Sequence, residues 1–249
     1  MTISAIIITK NEAGSIRRCL ESVAWVDEIV VLDSGSDDQT VPICHQFGAK
    51  VETSADWPGF GVQKNRALER ATGEWVLSLD ADERVSRELQ AEIRATIAKP
   101  SGKQAFKLPR SSLYCSRYMR HSGWWPDYVV RLFKRGSGRF SDDLVHERFI
   151  ADGSVGTLVN PLIHETYADL EEVLRKVNDY SSAGAAMMQA KGVRSSLLKA
   201  ILHGFWTFVR TYVIRAGFLD GREGFMLAVS NAEGTYYRYL KLMLLAQKR

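Results

Sequence analysis

The chain of 249 residues is short of several features, and each shortage removes a class of protein. It has three cysteines, Cys19, Cys44 and Cys115, an odd number without metal-type spacing. Free thiols in a reducing compartment are therefore expected, not a disulfide framework or a zinc cluster. The N-terminus lacks a basic segment and has only the short apolar run Ile3–Thr9, so a strand is expected there and not a secretory signal peptide. No apolar run is long and uninterrupted: Lys199, His203, Arg210 and Arg215 break up the most hydrophobic stretch, which argues against a spanning helix. Internal repeats and low-complexity segments are absent. The loop after the first apolar run, Thr9-Lys-Asn-Glu-Ala-Gly14, has one glycine, whereas a triphosphate-binding nucleotidyltransferase needs a glycine-rich, lysine-bearing loop there.

What is present is ordinary globular composition, 45% hydrophobic and 25% charged, with enough length for one large α/β domain, or for one domain plus an appendage. The formal charge of +4 is unevenly placed. From Ser196 to Arg249 there are eight Lys/Arg and three acids, an excess of five, so the preceding chain carries a net charge of −1. A basic, aromatic C-terminal end favours an anionic surface. The excess lies among apolar helices, and a nucleic-acid partner is not expected.

The chain is organised around Trp75-Val-Leu-Ser-Leu-Asp80-Ala-Asp82-Glu83, an apolar run ending in three carboxylates. In extended backbone, residues i and i+2 point to one side, so Asp80 and Asp82 leave the strand end together. Such a pair suits a hard divalent cation or a sugar hydroxyl, or marks a solvated turn. Two earlier apolar runs, Ile3–Thr9 and Glu28–Leu32, also end in polar clusters, Thr9–Glu12 and Asp33–Asp38. Helical spacing follows each, at Ser15–Val23 and Thr40–Phe47. Strands alternating with helices predict a parallel sheet flanked by helices, with a ligand crevice at the carboxyl ends of the strands. Another helix opens at Gly59 and carries Lys64 and Arg66 near its start, where an anion would be favoured. Further helices are predicted over Glu83–Ala98 and Ala168–Lys191, and strands over Ala105–Arg110, Tyr128–Lys134 and Leu158–Ile163.

Some residues leave two readings open. Tyr114, Tyr118, Trp124 and Trp125 suit a sugar-stacking surface or a packed core. His146-Glu147 and His164 suit metal and proton chemistry or a structural role. On a helix from Leu197, the residues Lys199, His203, Trp206 and Arg210 lie within about 60° of one another at 100° per residue. That stripe against an apolar face suits a helix in a membrane interface, or one packed on the protein.

Four blocks in order, Ile6-Ile-Ile-Thr-Lys-Asn-Glu12, Asp27–Thr40, Gln63-Lys-Asn-Arg-Ala-Leu68 and Leu79-Asp-Ala-Asp-Glu83, resemble glycosyltransferase family 2, inverting enzymes of the GT-A fold. Gly123-Trp-Trp-Pro-Asp127, Arg131-Leu-Phe-Lys-Arg135, Val145-His-Glu147 and Gly217-Phe-Leu-Asp-Gly221 are similar to a narrower branch, the lipopolysaccharide core β-1,4-glucosyltransferases. The resemblance implies an α/β fold with a Rossmann-like, mostly parallel sheet and a C-terminal helical, membrane-associating appendage. It implies a GT-A domain over residues 1–165, divided near residue 100 into nucleotide-sugar and acceptor halves, and a helical region over 166–249. It places Thr9, Asn11, Glu12 and Asp33 around uridine, Lys64 or Arg66 near the nucleotide, Asp80 toward the ribose, and Asp82 on Mg²⁺ or Mn²⁺ with His146 as a further ligand. The implied donor is a UDP-sugar, UDP-glucose first, and the acceptor is a lipid-linked saccharide. The implied place is the cytoplasmic face of the bacterial inner membrane, peripherally attached. The family's Glu-Asp pair for the catalytic base has no counterpart here, and Glu147 and then Asp127 are the candidates. A different cell-envelope glycan as acceptor, a nucleotidyltransferase, and a non-catalytic membrane-surface protein are the alternatives.

Overall fold

Parallel strands carry the first eighty residues in the computed structural model, which describes residues 1–99, 102–142 and 147–247. The elements there are β1 (Ile3–Thr9), α1 (Ile16–Val23), β2 (Glu28–Asp33), α2 (Thr40–Gln46), β3 (Lys50–Thr53), α3 (Phe60–Arg70) and β4 (Trp75–Asp80). Continuous β-branched and leucine-rich runs form β1, β2 and β4 because both faces of this part of the sheet are covered. On β1, Ala5 and Ile7 pack with Cys19, Leu20 and Ile43 of α1 and α2. Ile6 and Ile8 point the other way, onto Ala67 of α3. The two-residue alternation of the strand thus feeds two separate cores.

The rest of the first compact unit, Met1–Arg110 with Asp127–His164, is mostly antiparallel, with β11 (Val155–Thr157) pairing in parallel. Its elements are β5 (Glu83–Val85), α4 (Arg87–Ile97), β6 (from Ala105), β8 (Asp127–Lys134), β9 (Gly138–Phe140), β10 (Phe149–Ala151), β11 (Val155–Thr157) and β12 (from Leu162), with β7 (Arg117–Tyr118) in the intervening segment. The sheet runs β3-β2-β1-β4-β8-β6-β12-β5. It is parallel through β4 and antiparallel at β4–β8, β8–β6 and β12–β5. The expected mostly parallel sheet is therefore a mixed one. Phe133, Phe140 and Phe149 stack beneath it against α3.

Two segments differ from the sequence reading. Glu83–Val85 is a strand, and the helix starts at Arg87 because the Ser86 hydroxyl accepts the Leu89 N–H at 3.1 Å and caps it. Leu158–Pro161 is a loop, held by Glu92, whose carboxylate accepts the N–H groups of Val159 and Asn160, both at 2.8 Å. The strand after it, β12, runs Leu162–Tyr167, so His164 lies within it.

Glu28 ties the lower edge of the parallel strands together. It accepts from Lys50 Nζ at 2.6 Å, from the Thr72 N–H at 2.8 Å and from the Ser4 hydroxyl. Burial opposes its ionisation, but these donors outweigh burial and bring its carboxyl from the ordinary 4.5 to about 2. A depressed folded-state value means that this stabilisation is complete above pH 4.5 and is lost as the pH falls toward 2. Glu28→Gln is expected to cost about 2 kcal/mol at pH 7 and to flatten the loss of stability across that acid window. Urea unfolding at several pH values measures both, and parallel wild-type and variant curves would contradict it.

The second unit consists of Ser111–Pro126 and Glu165–Arg249. Its helices are α5 (Leu170–Ala190), α6 (Leu197–Val209) and the 27-residue α7 (Gly221–Gln247), with a π-turn over Arg210–Ile214 and a 3-10 turn over Gly217–Asp220. Residues 111–126 pack among these elements. Tyr114 is buried, its ring contacts Trp124 and Tyr167, and its hydroxyl lies 2.9 Å from Ser230 Oγ. Asp220 is fully buried and accepts from the N–H groups of Arg120 and His121 at 3.1 and 2.9 Å and shares a 3.1 Å contact with His121 Nδ1. Among the described residues no helix is long and apolar enough to cross a membrane.

Candidate active site

Register places three strand ends in one row. Thr9 pairs with Asp33 across β1–β2, and Ile8 with Asp80 across β1–β4. Asp33 is buried and folds its own loop: its carboxylate accepts the N–H groups of Gly35 and Ser36, each at 2.9 Å. Gly35 takes a φ of 81°, the left-handed region that glycine enters at no steric cost. Asn11, also left-handed at φ 56°, accepts the Asp37 N–H at 3.0 Å and donates its own N–H to Ser36 Oγ at 2.8 Å. Glu12 donates its N–H to Thr40 Oγ1 at 2.7 Å and accepts from the Ser15 hydroxyl at 2.5 Å. The loops after β1 and β2 are thus stitched into one rim. Thr9 Oγ1 is buried there without a hydrogen-bond partner among the described residues. Buried hydroxyls are normally paired, and this one is an exception at the rim.

From Asp80 an alternating chain of charges runs both ways. Lys64, with a side chain only 2% exposed, lies 2.7 Å from Asp80 Oδ1 and 2.5 Å from Glu147 Oε1. On the other side Arg131 pairs with Asp80 and, at 2.7 Å, with Glu83. Arg110 continues from Glu83 at 3.5 Å to Asp127 at 2.6 Å. Burial works against the charge on Asp80, but Arg131 and Lys64 outweigh it and hold the carboxyl well below the usual carboxylate range. Burial likewise opposes the Arg131 guanidinium, and Asp80 with Glu83 hold it above its ordinary value. The Cys19 thiol beneath, 3.6 Å from the Asp80 carbonyl oxygen, is pushed up by its burial and then by the nearby acids.

Lys64 thus joins the acidic row, whereas Arg66 turns aside to Asp56 at 2.6 Å. Glu147 stands one shared cation from Asp80, and Asp127 lies at the far end of the chain through Arg110, Glu83 and Arg131. Gly61 of α3 allows this approach: a Cβ there would fall 1.7 Å from the Ser141 carbonyl oxygen and 3.5 Å from Glu147 Cβ. Lys64→Met leaves Asp80 and Glu147 without their common partner. It is expected to cost about 3 kcal/mol, because one charge of a buried network cannot be removed without stranding its neighbours. An unchanged urea midpoint would contradict that assignment.

Asp82 projects beside this network. Its Oδ2 lies 3.2 Å from His164 Nε2, with side chains 24% and 11% exposed. Strand pairing explains the meeting, since β12 lays His164 opposite Glu83, the residue after Asp82. His146, the sequence candidate for a second metal ligand, lies outside the described residues. His164, Glu83, Arg110 and Arg131 complete the arrangement without having been singled out for it. Glu83, the third carboxylate of the central run, Arg131, inside a block shared with the narrower branch, and His164, as an ambiguous histidine, carried a signal, whereas Arg110 carried none. The described residues contain no cluster of three His, Cys, Asp or Glu able to enclose a metal. One carboxylate and one imidazole do suit Mg²⁺ or Mn²⁺ when diphosphate oxygens and water complete the shell.

The model of glycosyl transferase family 2 matches residues 4–141. An uncharacterized glycosyltransferase of Rickettsia felis is 31% identical over 252 residues, covering 96% of this chain and 89% of its own. The lipopolysaccharide core biosynthesis glycosyltransferase LpsC of Rhizobium meliloti is 30% identical over 262 residues, covering 100% and 93%. Among solved structures, S. aureus TarS 1–349 in complex with UDP-GlcNAc superposes with a TM-score of 0.52 at 15% identity, covering 100% of this chain and 93% of its own. At that identity the likeness concerns the fold, which is GT-A.

Proposed function

The chain belongs to glycosyl transferase family 2, and we propose that it moves a sugar, glucose first among candidates, from a UDP-sugar to a lipopolysaccharide inner-core acceptor with inversion. The observation that carries this reading is the meeting of Asp82 and His164 beside Asp80 at the strand ends. The full-length similarity to a core biosynthesis enzyme supports the acceptor class. The pocket of Thr9, Asn11, Glu12 and Asp33 takes the uridine, Lys64 lies toward the nucleotide, and Asp80 faces the ribose.

Asp82 and His164 would hold Mg²⁺ or Mn²⁺. A divalent cation bound there neutralises charge on the departing diphosphate. Transfer is one in-line displacement. The acceptor oxygen bonds to the anomeric carbon as that carbon's bond to the β-phosphate oxygen breaks. UDP leaves with the bonding pair, and Glu147 takes the acceptor's hydroxyl proton. Glu147 is preferred to Asp127 because it shares Lys64 with Asp80. The basic C-terminal helices hold the enzyme at the inner face of the cytoplasmic membrane.

The purified protein with Mn²⁺ and a panel of UDP-sugars, with and without lipopolysaccharide core acceptor, tests the reading. The expected result is acceptor-dependent UDP release with UDP-glucose and a β-linked product. Pyrophosphate release from a nucleoside triphosphate, or an α-linked product, would overturn it.

A further inference from the structure

Helix α6 faces the wrong way for a protein in water. On a wheel of about 100° per residue, Leu197, Leu198, Ile201, Leu202, Phe205 and Trp206 centre about 90° from Leu197, and Ala200, His203, Gly204 and Thr207 about 290° from it. The second set packs on α7. Ala200 and Gly204 are buried, a Cβ on Gly204 would come within 3.1 Å of Tyr236 Cβ, His203 stacks on Tyr239 at 4.1 Å, and the Thr207 hydroxyl reaches Thr235 at 3.2 Å. The first set, six large apolar side chains, is 49–67% exposed. Small and polar residues inside with large apolar ones outside is the pattern of a helix whose outer solvent is lipid. The exposed apolar surface continues through Val213 and Ile214 of the π-turn, and through Phe218 and Leu219 on the 3-10 turn.

Charge identifies the occupant. Residues 180–219 contain no Asp or Glu and five Lys/Arg, namely Lys191, Arg194, Lys199, Arg210 and Arg215. A second copy of the chain docked on this face by a two-fold axis would set those cations against themselves. An anionic bilayer would receive both the apolar face and its charges. We propose that α6, with the turns that follow, lies in the plane of the membrane with Leu198, Leu202, Phe205 and Trp206 in one leaflet of an anionic bilayer. This rests on the membrane-surface reading above and deepens it, by naming the segment that enters and the lipid charge that it selects.

Sedimentation of the full chain with vesicles tests it, using phosphatidylcholine alone and phosphatidylcholine mixed with an equal amount of phosphatidylglycerol. The wild type is expected to bind the anionic vesicles more tightly. The double variant Phe205→Glu/Trp206→Glu, altered only on the exposed face, is expected to lose at least about tenfold in binding while keeping its circular dichroism. Lys199→Gln and Arg210→Gln are each expected to cost about fivefold on anionic vesicles and little on neutral ones. If the wild type binds and the double variant binds equally well, the α6 assignment falls and the membrane reading stands. If the wild type binds neither vesicle, the membrane reading falls and takes the anchor with it. If the wild type instead dimerises without lipid and the double variant is monomeric, the face belongs to a second copy and the proposal is overturned.

Discussion

Asp82→Ala is expected to abolish sugar transfer, with a loss of at least about a thousandfold, while the protein stays folded. The loss follows from the charge that must be neutralised on a departing diphosphate, an effect worth several kcal/mol when a cation supplies it. Asp82 and His164 are the two donors that meet at the strand end, and the substitution leaves one imidazole, too little to hold a hard divalent cation. Stability is expected to change by less than about 1 kcal/mol, because the Asp82 side chain is partly exposed and has no part in the ion-pair chain through Asp80. Asp80 provides the contrast. Asp80→Asn would strand Lys64 and Arg131, both buried, so its effect on turnover comes with a loss of about 3 kcal/mol in stability. Activity assays and urea unfolding on the two variants separate the roles. Full activity in Asp82→Ala would end the metal assignment.

Glu147→Gln is expected to keep UDP binding and lose turnover by about a hundred- to ten-thousandfold, the range that a positioned general base contributes. The amide keeps the shape and still fills the space beside Gly61, while Lys64 retains Asp80 as its partner. Binding and chemistry should therefore separate: the affinity for UDP stays and kcat falls. Asp127→Asn should leave turnover near wild type, because Asp127 is engaged by Arg110 at the far end of the chain of charges. If Asp127→Asn instead keeps UDP binding and loses turnover, the base is Asp127.

The residues that sequence could place were those whose role depends on local order. Strands β1, β2 and β4 are apolar runs that stop at polar residues, and their parallel pairing follows from the intervening helices, so the row of Thr9, Asp33 and Asp80 was legible. The partners of that row were not. Arg131 is 51 residues from Asp80, and Glu147 is 83 from Lys64. Ion pairs at such separations depend on antiparallel β8 and on the separate β9–β10 pair, which no short-range period encodes. His164 reaches Asp82 only because β5 pairs with β12, and β5 itself was hidden in a segment of helical pattern. The stripe of Lys199, His203, Trp206 and Arg210 follows from helical spacing alone, and Arg210 lies beyond α6 in the π-turn. The helix packs through Ala200 and Gly204, however, and His203 faces Tyr239 while Trp206 is exposed. A hydrophobic pattern gives the faces of a helix but not which of them a neighbour covers.

Titration calorimetry of UDP into the purified chain, with Mn²⁺ and then with excess chelator, decides whether the strand-end acids and His164 form the donor site. The account predicts that UDP binds with Mn²⁺, that chelator weakens binding at least about tenfold, and that Asp82→Ala with Mn²⁺ matches the wild type with chelator. Equal UDP affinity in all three conditions would contradict it.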